Sequence, residues 1–318
     1  MASTDRRLRV GVVGVGSLGQ WHAKVYAELE AAELAGVYDI DARRAAEIAA
    51  RYGTVACASL EDLAAKIEAA SVAVPPDQHA AVACVLMERG IHVLVEKPIA
   101  DSLTAAERML AVAQQRRTIL QVGHVERFNP VLRCLEETLT QPRFIEAVRL
   151  APYPPPREGR PPRGTEVSVV LDLMIHDLEI VLHLVRAPVA EIRAVGVPVL
   201  STGEDIANVR LAFANGAVAN VTASRVSAER LRKIRVFQPD TYLSLDYEKQ
   251  CGYLVRKVGS TIVRSEVPVN KAEPLKIELA SFVQCVLEHR EPVVNGVQAA
   301  DALRLAVEIC RQIREETR

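Results

Sequence analysis

The sequence predicts two domains of different class: an α/β domain with a doubly wound parallel sheet, followed by an α+β domain. Two observations carry this. Over residues 8–124 short apolar runs alternate with stretches of helical period, the pattern of repeated β-α units. Beyond Asn129-Pro130 that pattern gives way to alternating apolar and polar positions broken by turn signals, the pattern of antiparallel strands. The division is expected near residue 124, giving domains 1–124 and 125–318. At 318 residues the chain has length for two ordinary domains whose cores need no covalent staples.

Strands are expected at 8–13, 33–38, 70–74, 91–95 and 118–122, with helices between them at 18–30, 42–52, 78–89 and 103–116. Asn129 as cap and Pro130 at the first helical position mark the next helix start. A strand at 144–150 leads into residues 151–165, six of which are proline, and then into a long apolar helix over 169–185. From 189 to 269 the chain reads as antiparallel β. The clearest signal there is Asn215-Gly216 between the alternating runs 206–214 and 217–223, a hairpin. Two helices, 274–289 and 297–316, follow, and there is no internal repeat.

Charge and composition exclude several classes. Lys and Arg total 39 against 40 for Asp and Glu, a net charge of -1, so nothing argues for nucleic acid or an anionic membrane as partner. The six cysteines (57, 84, 134, 251, 285 and 310) form no C-x-x-C pair, which speaks against a zinc knuckle or a disulfide framework and for reduced, mostly buried thiols. No basic-then-apolar leader and no membrane-length apolar run is present, so a soluble cytoplasmic protein is expected.

The first motif with chemistry is Gly14-Val15-Gly16-Ser17-Leu18-Gly19, directly after a strand and directly before a helix. Gly14 permits the tight turn, Gly16 lets backbone approach a pyrophosphate, and Gly19 allows close helix-strand packing, with the helix N-terminus facing phosphate charge. A glycine-rich turn without a ligand is the bland alternative. Asp39, at the end of the second strand and twenty residues beyond Gly19, tips the balance, because a carboxylate there binds the adenosine ribose diol. Asp41 is free to cap the next helix, leaving Asp39 for that task. A carboxylate repels a 2′-phosphate, so NAD is expected in preference to NADP, although Arg43 and Arg44 soften the preference. Pro75, just past the third strand, is counted with the cofactor-binding residues.

The second motif is Glu96-Lys97-Pro98 at the carboxyl end of the fourth strand, the edge where open α/β sheets place ligands. Most loop lysines are merely solvated. Here Pro98 restricts the backbone of Lys97, so its ammonium is expected near the nicotinamide, where it polarises a developing carbonyl; Glu96 and Lys97 are both counted as cofactor contacts. The third signal lies on the apolar helix 169–185. Asp172, His176, Glu179 and His183 follow at i, i+4, i+7 and i+11, one stripe at 3.6 residues per turn, whereas Asp177 points elsewhere. Ionisable groups on a buried helix are costly unless paired or used. Asp172 can fix the tautomer of His176 for taking a hydroxyl proton. Asp, His and Glu are also metal ligands, but no His-Glu-x-x-His spacing supports a metal and none is expected.

A weaker group of substrate candidates comprises His124, Arg127 and Asn129 after the fifth strand, together with Glu179. Interdomain packing and helix capping are the competing explanations, the stronger one for Asn129. The proline loop carries Arg157, Arg160 and Arg163, suited to the phosphates of a nucleotide-linked substrate.

With these residues in view, the sequence resembles the glucose-fructose oxidoreductase / inositol dehydrogenase / rhizopine-catabolism (Gfo/Idh/MocA) family along essentially its whole length. The resemblance rests on G-V-G-S-L-G at 14–19, E-K-P at 96–98, D-x-x-x-H at 172–176 and E-P-L-K-x-E-L at 273–279. It implies an N-terminal Rossmann domain, a C-terminal domain with a large, mostly antiparallel open-faced sheet that mediates oligomer contacts, and a bound nicotinamide dinucleotide. It also implies that Lys97, Asp172 and His176 line the catalytic centre, with His176 as the acid-base group. Many members have Gly between the Asp and His and an Asp three residues after the His; here Met174 and Glu179 stand there. The runs 122–130 and 169–177 are more similar to the branch that oxidises C3 of UDP-N-acetylglucosamine or related uronic acids. The expectation is therefore hydride transfer from a sugar or nucleotide-sugar hydroxyl to NAD by a homodimer or homotetramer. Dehydrogenation of myo-inositol or another polyol, and a non-catalytic dinucleotide sensor, stay as alternatives.

Overall fold

A computed structural model describes residues 6–156, 162 and 164–316. The chain forms β1 (Leu8–Val13), α1 (Gly19–Glu28), β2 (Ala32–Tyr38), α2 (Ala42–Tyr52), α3 (Leu60–Ala64), β3 (Ala69–Val72), α4 (Pro76–Glu88), β4 (His92–Glu96), α5 (Leu103–Arg116), β5 (Leu120–Gly123) and a 3-10 turn, Val125–Phe128. Next come α6 (Pro130–Thr138), β6 (Phe144–Leu150), a π-helical turn (Val170–Met174), α7 (Ile175–Val185), β7 (Val189–Val197), β8 (Ile206–Phe213) and β9 (Val218–Ser224). The series ends with β10 (Leu231–Gln238), β11 (Thr241–Asp246), β12 (Cys251–Val258), β13 (Thr261–Glu266), α8 (Pro274–Glu288) and α9 (Gly296–Glu316). The expected strands and helices of residues 8–124 all form, with α3 in addition. It is capped by Ser59, whose Oγ accepts the Asp62 amide, but its five residues are too few to show a helical period.

The chain divides into two compact units: residues up to 128 with 273–300, and 129–272 with residues from 301 on. The expected single cut at 124 differs from this in two respects: the first boundary falls at 128, and 273–300 returns to the first unit. The cause of that return is the apolar face of α8. Leu279, Phe282, Val283 and Val286 join the cluster of Leu8, Val10, Val25 and Tyr26, and burying each large side chain stabilises by about 1.5–3 kcal/mol. A linear reading of periodicity cannot show which sheet a late helix covers.

In the first unit the strands are all parallel, in the order β2-β1-β3-β4-β5. Helices cover both faces, so β3 is buried at every position. Asp41 caps α2 by accepting the amides of Arg43 and Arg44, and Gly53, at φ 67°, ends it. Parallel strands bring every carboxyl end to one edge. Gly14, Asp39, Pro75, Lys97 and His124 follow β1, β2, β3, β4 and β5 within three residues, so the candidate residues from this unit share that edge. The order reverses between β1 and β3, where a crevice for ligand opens.

The second unit is built on the sheet β13-β12-β11-β10-β6-β9-β8-β7, antiparallel except for the β6–β9 pair. Along β8 exposed and buried residues alternate, as in a sheet with one packed face. The Asn215-Gly216 hairpin forms, with Gly216 at φ 81° and the Asn215 side chain accepting the Ala217 amide. Phe213 and Ala217 bond across it, leaving three residues in the loop. All six cysteines are free thiols, four of them buried.

Candidate active site

The glycine loop is shaped by two different demands. Gly14 has φ 81°, and a Cβ there would lie 2.9 Å from the Ala73 carbonyl oxygen. A Cβ on Gly19 would come within 1.8 Å of the Gly14 carbonyl oxygen. Packing therefore requires both. Gly16 is different, for a Cβ there would meet nothing within 4 Å among the described residues, so nothing described in the protein demands glycine. A bare backbone facing open space beside a helix N-terminus is what close approach of a phosphate requires. Ser17 and Leu18 lead into that helix, Leu18 in the capping position with no side-chain cap from the described residues.

Asp39 ties this loop to the second strand. One carboxylate oxygen accepts the Val15 amide at 2.8 Å and the other the Asp41 amide at 2.9 Å. The Arg44 Nε donates to the Val15 carbonyl at 2.8 Å, fastening the loop from its other side. Each Asp39 oxygen keeps a second lone pair for a donor such as a ribose hydroxyl. The loop, the helix end behind it and this carboxylate together fit a dinucleotide.

At the end of β4 the environment of Lys97 is unusually determined. The Glu96 carboxylate accepts the Lys97 amide at 3.3 Å and bonds the His22 Nε2 at 2.9 Å. The other nitrogen of His22 lies 3.0 Å from Ser71 Oγ, which lies 2.8 Å from the Tyr26 hydroxyl. With Glu96 ionised, the His22 Nε2–H donates to it. Burial pushes the Glu96 carboxyl up, but the hydrogen bond and charge of His22, with the charges of Lys97 and His79, hold it below its ordinary value. Glu96, counted with the cofactor contacts in the sequence, thus turns its carboxylate inward. Beyond the cis Lys97–Pro98 bond, the Pro98 carbonyl lies 2.9 Å from Nδ1 of the buried His79. Sequence reasoning missed His22, Tyr26, Ser71 and His79. The available signal was polar side chains on the covered faces of α1, β3 and α4.

His124 is buried, and burial first, then the charge of Lys97, pushes its imidazole down to about 3, so it is neutral at physiological pH. Arg127 is buried in the 3-10 turn. Asn129 does the capping work: its Oδ1 accepts the Val131 amide at 3.3 Å, and its Nδ2 donates to the Tyr247 carbonyl at 3.0 Å.

In the second unit the helix expected over 169–185 is not α throughout. Residues Val170–Met174 form a π turn, and the α-helix proper begins at Ile175. The wider π turn carries Asp172, so the α-helical stripe holds only from His176 onward. Asp172 and His176 are both partly exposed, whereas Glu179 is buried. His183 is drawn to α6, its Nε2 2.9 Å from Glu136 Oε1. Asp177, off the stripe, accepts a two-pronged bond from Arg149 of β6 at 2.7 and 3.1 Å. Both partners are buried, and the pair clamps the start of α7 to the sheet.

Arg225, also missed, anchors the approach to the π turn. Its fully buried guanidinium pairs with Asp205 at 2.8 Å and donates to the carbonyls of Val167, Glu204 and Gly164. Arg157, Arg160 and Arg163 lie outside the described residues. Among the described residues no group of three or more His, Cys, Asp or Glu is placed to hold a metal ion, and no helix is long and apolar enough to cross a membrane.

Comparison with known proteins agrees with this geometry. The oxidoreductase family with an NAD-binding Rossmann fold matches residues 8–124, and the GFO/IDH/MocA C-terminal domain matches residues 135–239. UDP-N-acetylglucosamine 3-dehydrogenase of Acidithiobacillus ferrooxidans is 37% identical over 95% of this chain and 96% of its own length. A solved structure of that enzyme superposes with a TM-score of 0.91 over 96% of this chain and 98% of its own. The scyllo-inositol 2-dehydrogenase (NAD(+)) of Bacillus subtilis is 23% identical over 98% of this chain and 95% of its own. With both domains matched, a relative aligned end to end and the dinucleotide loop intact, this chain belongs to the GFO/IDH/MocA family of NAD-binding oxidoreductases.

Proposed function

We propose that this protein oxidises the C3 hydroxyl of UDP-N-acetylglucosamine or a closely related UDP-sugar, with NAD as hydride acceptor. The supporting observation is the end-to-end similarity to an enzyme of that activity, 37% identity over 95% of the chain.

NAD supplies the hydride-accepting carbon. The chain's own groups do the rest. Gly14, Gly16, Ser17, Leu18 and Gly19 bind the pyrophosphate, Asp39 the adenosine ribose, and Pro75 lies along the cofactor. His176 takes the proton of the sugar hydroxyl at a ring nitrogen, and Asp172 holds that ring's orientation. Lys97 presents its ammonium to the same oxygen as it becomes a ketone. Because His124 stays neutral beside Lys97, it adds no competing positive charge. Arg127 and Glu179 contact the sugar. The protein works in the cytoplasm as a homodimer or homotetramer.

The test is NADH absorbance from purified protein and NAD with UDP-N-acetylglucosamine, its uronic acid, myo-inositol and free hexoses offered in parallel, each with a ketone-trapping step. NADH formed only with a UDP-sugar is expected. Formation with inositol or a free hexose alone overturns the substrate, and silence with all of them overturns the reading.

A further inference from the structure

The covered faces of α1 and β3 carry polar side chains where apolar ones are the rule. His22 and Tyr26 of α1 and Ser71 of β3 are each no more than 1% exposed. Their contacts form one line. The Tyr26 hydroxyl lies 2.8 Å from Ser71 Oγ, that oxygen lies 3.0 Å from His22 Nδ1, and His22 Nε2 lies 2.9 Å from Glu96 Oε1. The line thus ends on the residue before Lys97, and the other carboxylate oxygen, Oε2, accepts the Lys97 amide at 3.3 Å.

On β5, Gly123 pairs with Glu96, and a Cβ there would lie 3.2 Å from the Cδ and both oxygens of the Glu96 carboxylate. Gly123 is not among the glycines of positive φ, so its backbone does not call for glycine; the room taken by the carboxylate does. Glu96 is held from α1 and given space from β5. Burying polar groups is costly unless they are bonded or used, and apolar side chains would fill the same region without that cost.

We propose that His22 is a positioning residue for Lys97: it fixes the Glu96 carboxylate through one oxygen, and that carboxylate fixes the Lys97 backbone through the other. The proposal rests on the role given above to Lys97. Burial pushes the Glu96 carboxyl up; the His22 bond, then the charges of His22, Lys97 and His79 of α4, bring it below its ordinary value. The other titratable or charged groups around this pair are Tyr26, the neutral His124 after β5 with Arg127 beside it, and Glu278 of α8, whose carboxyl is pushed well up by burial and the Glu96 charge. Without the His22 N–H burial prevails, Glu96 gains a proton, and the Lys97 amide loses its anionic acceptor. A required carboxylate that is harder to ionise fails at higher pH, so the acid limb of kcat moves up and activity returns as pH rises.

Two substitutions separate this role from packing. His22→Leu fills the space without a donor, whereas His22→Gln keeps an N–H near the Nε2 position. Infrared difference spectra of the whole protein, without sugar and at neutral pH, compare each with wild type. A new protonated-carboxyl stretch is expected in His22→Leu, absent from His22→Gln and cancelled when Glu96→Gln is added; no such band in His22→Leu overturns the proposal. In a second arm kcat is followed against pH. His22→Leu is expected to be slower by about tenfold or more at neutral pH, with its acid limb moved up by about one pH unit or more, and His22→Gln to recover most of the loss. Equal losses in both variants at every pH mean that His22 only packs, which overturns it. Should His22→Leu fail to fold, Glu96→Gln takes its place, keeping the shape and an acceptor oxygen without the charge. A kcat equal to wild type, or a protonated-carboxyl band in wild type that Glu96→Gln removes, then overturns the proposal. The infrared arm needs no substrate, so its result stands apart from whether a UDP-sugar is oxidised.

Discussion

Gly164 presses directly on Asp172. A Cβ built on Gly164 would fall within contact of the Asp172 carboxylate, nearest its Oδ2 and 2.8 Å from its Cγ, and Gly164 holds φ 83°, where side chains are strained. Arg225 fixes this arrangement through the Gly164 carbonyl. Gly164→Ala is therefore expected to push Asp172 aside. If Asp172 orients His176, a displacement of this size lowers kcat about 10²-fold while the Kd for NAD stays within about twofold, below a tenfold step of 1.4 kcal/mol. Steady-state kinetics with fluorescence titration of NAD checks this. A kcat within twofold of wild type would show that Asp172 has no orienting role.

The roles given to His176 and Lys97 predict a shared signature. His176→Ala and Lys97→Ala should each lower kcat roughly 10²–10⁴-fold, the usual consequence of losing an acid-base or charge-stabilising group. NAD should still bind, since the glycine loop and Asp39 are untouched. Near-normal turnover in either variant removes that residue from the mechanism.

Asp39 predicts cofactor choice. Its carboxylate sits where a ribose is expected, with Arg44 fastened beside it on the Val15 carbonyl. Asp39→Ser removes the charge that repels a 2′-phosphate and leaves the arginine. The ratio of kcat/KM for NAD to that for NADP should fall by about tenfold or more, roughly 1.4 kcal/mol. An unchanged ratio would mean that Asp39 serves only the loop.

How far these residues could be read in advance depended on whether their signal is local. The strand ends bearing Gly14, Asp39 and Lys97 are marked by short-range period and glycine spacing, and the capping roles of Asp41 and Asn129 by their position before a helix. The π turn at Val170–Met174 has no such mark, because an apolar run reads the same with α or π spacing. Nor could Arg225 be found from sequence: its partners Asp205, Gly164, Val167 and Glu204 lie between 20 and 61 residues away. The inward Glu96–His22 bond spans 74 residues, and a helix period reports only that one face is covered, never by what.

Asp205 and Arg225 make the last prediction one of stability. Both are buried, and the bond is 2.8 Å. Asp205 also accepts the amides of Val199, Leu200 and Ser201 at 2.6–2.8 Å. Burial pushes this carboxyl up, yet the Ser201 hydroxyl and those amides outweigh it and hold the group below the ordinary carboxylate range. Asp205→Ala leaves the Arg225 charge buried without its counter-ion, which should cost about 3–5 kcal/mol in urea unfolding at neutral pH. The folded carboxyl titrates below its unfolded value of about 4, so its contribution is complete above about pH 4 and declines as pH falls towards the folded value. The gap between wild type and Asp205→Ala should accordingly be constant from neutral pH down to about 4 and then narrow. A gap that instead widened in acid would mean that the folded protein holds Asp205 protonated, and that Arg225 is stabilised by the three carbonyls alone.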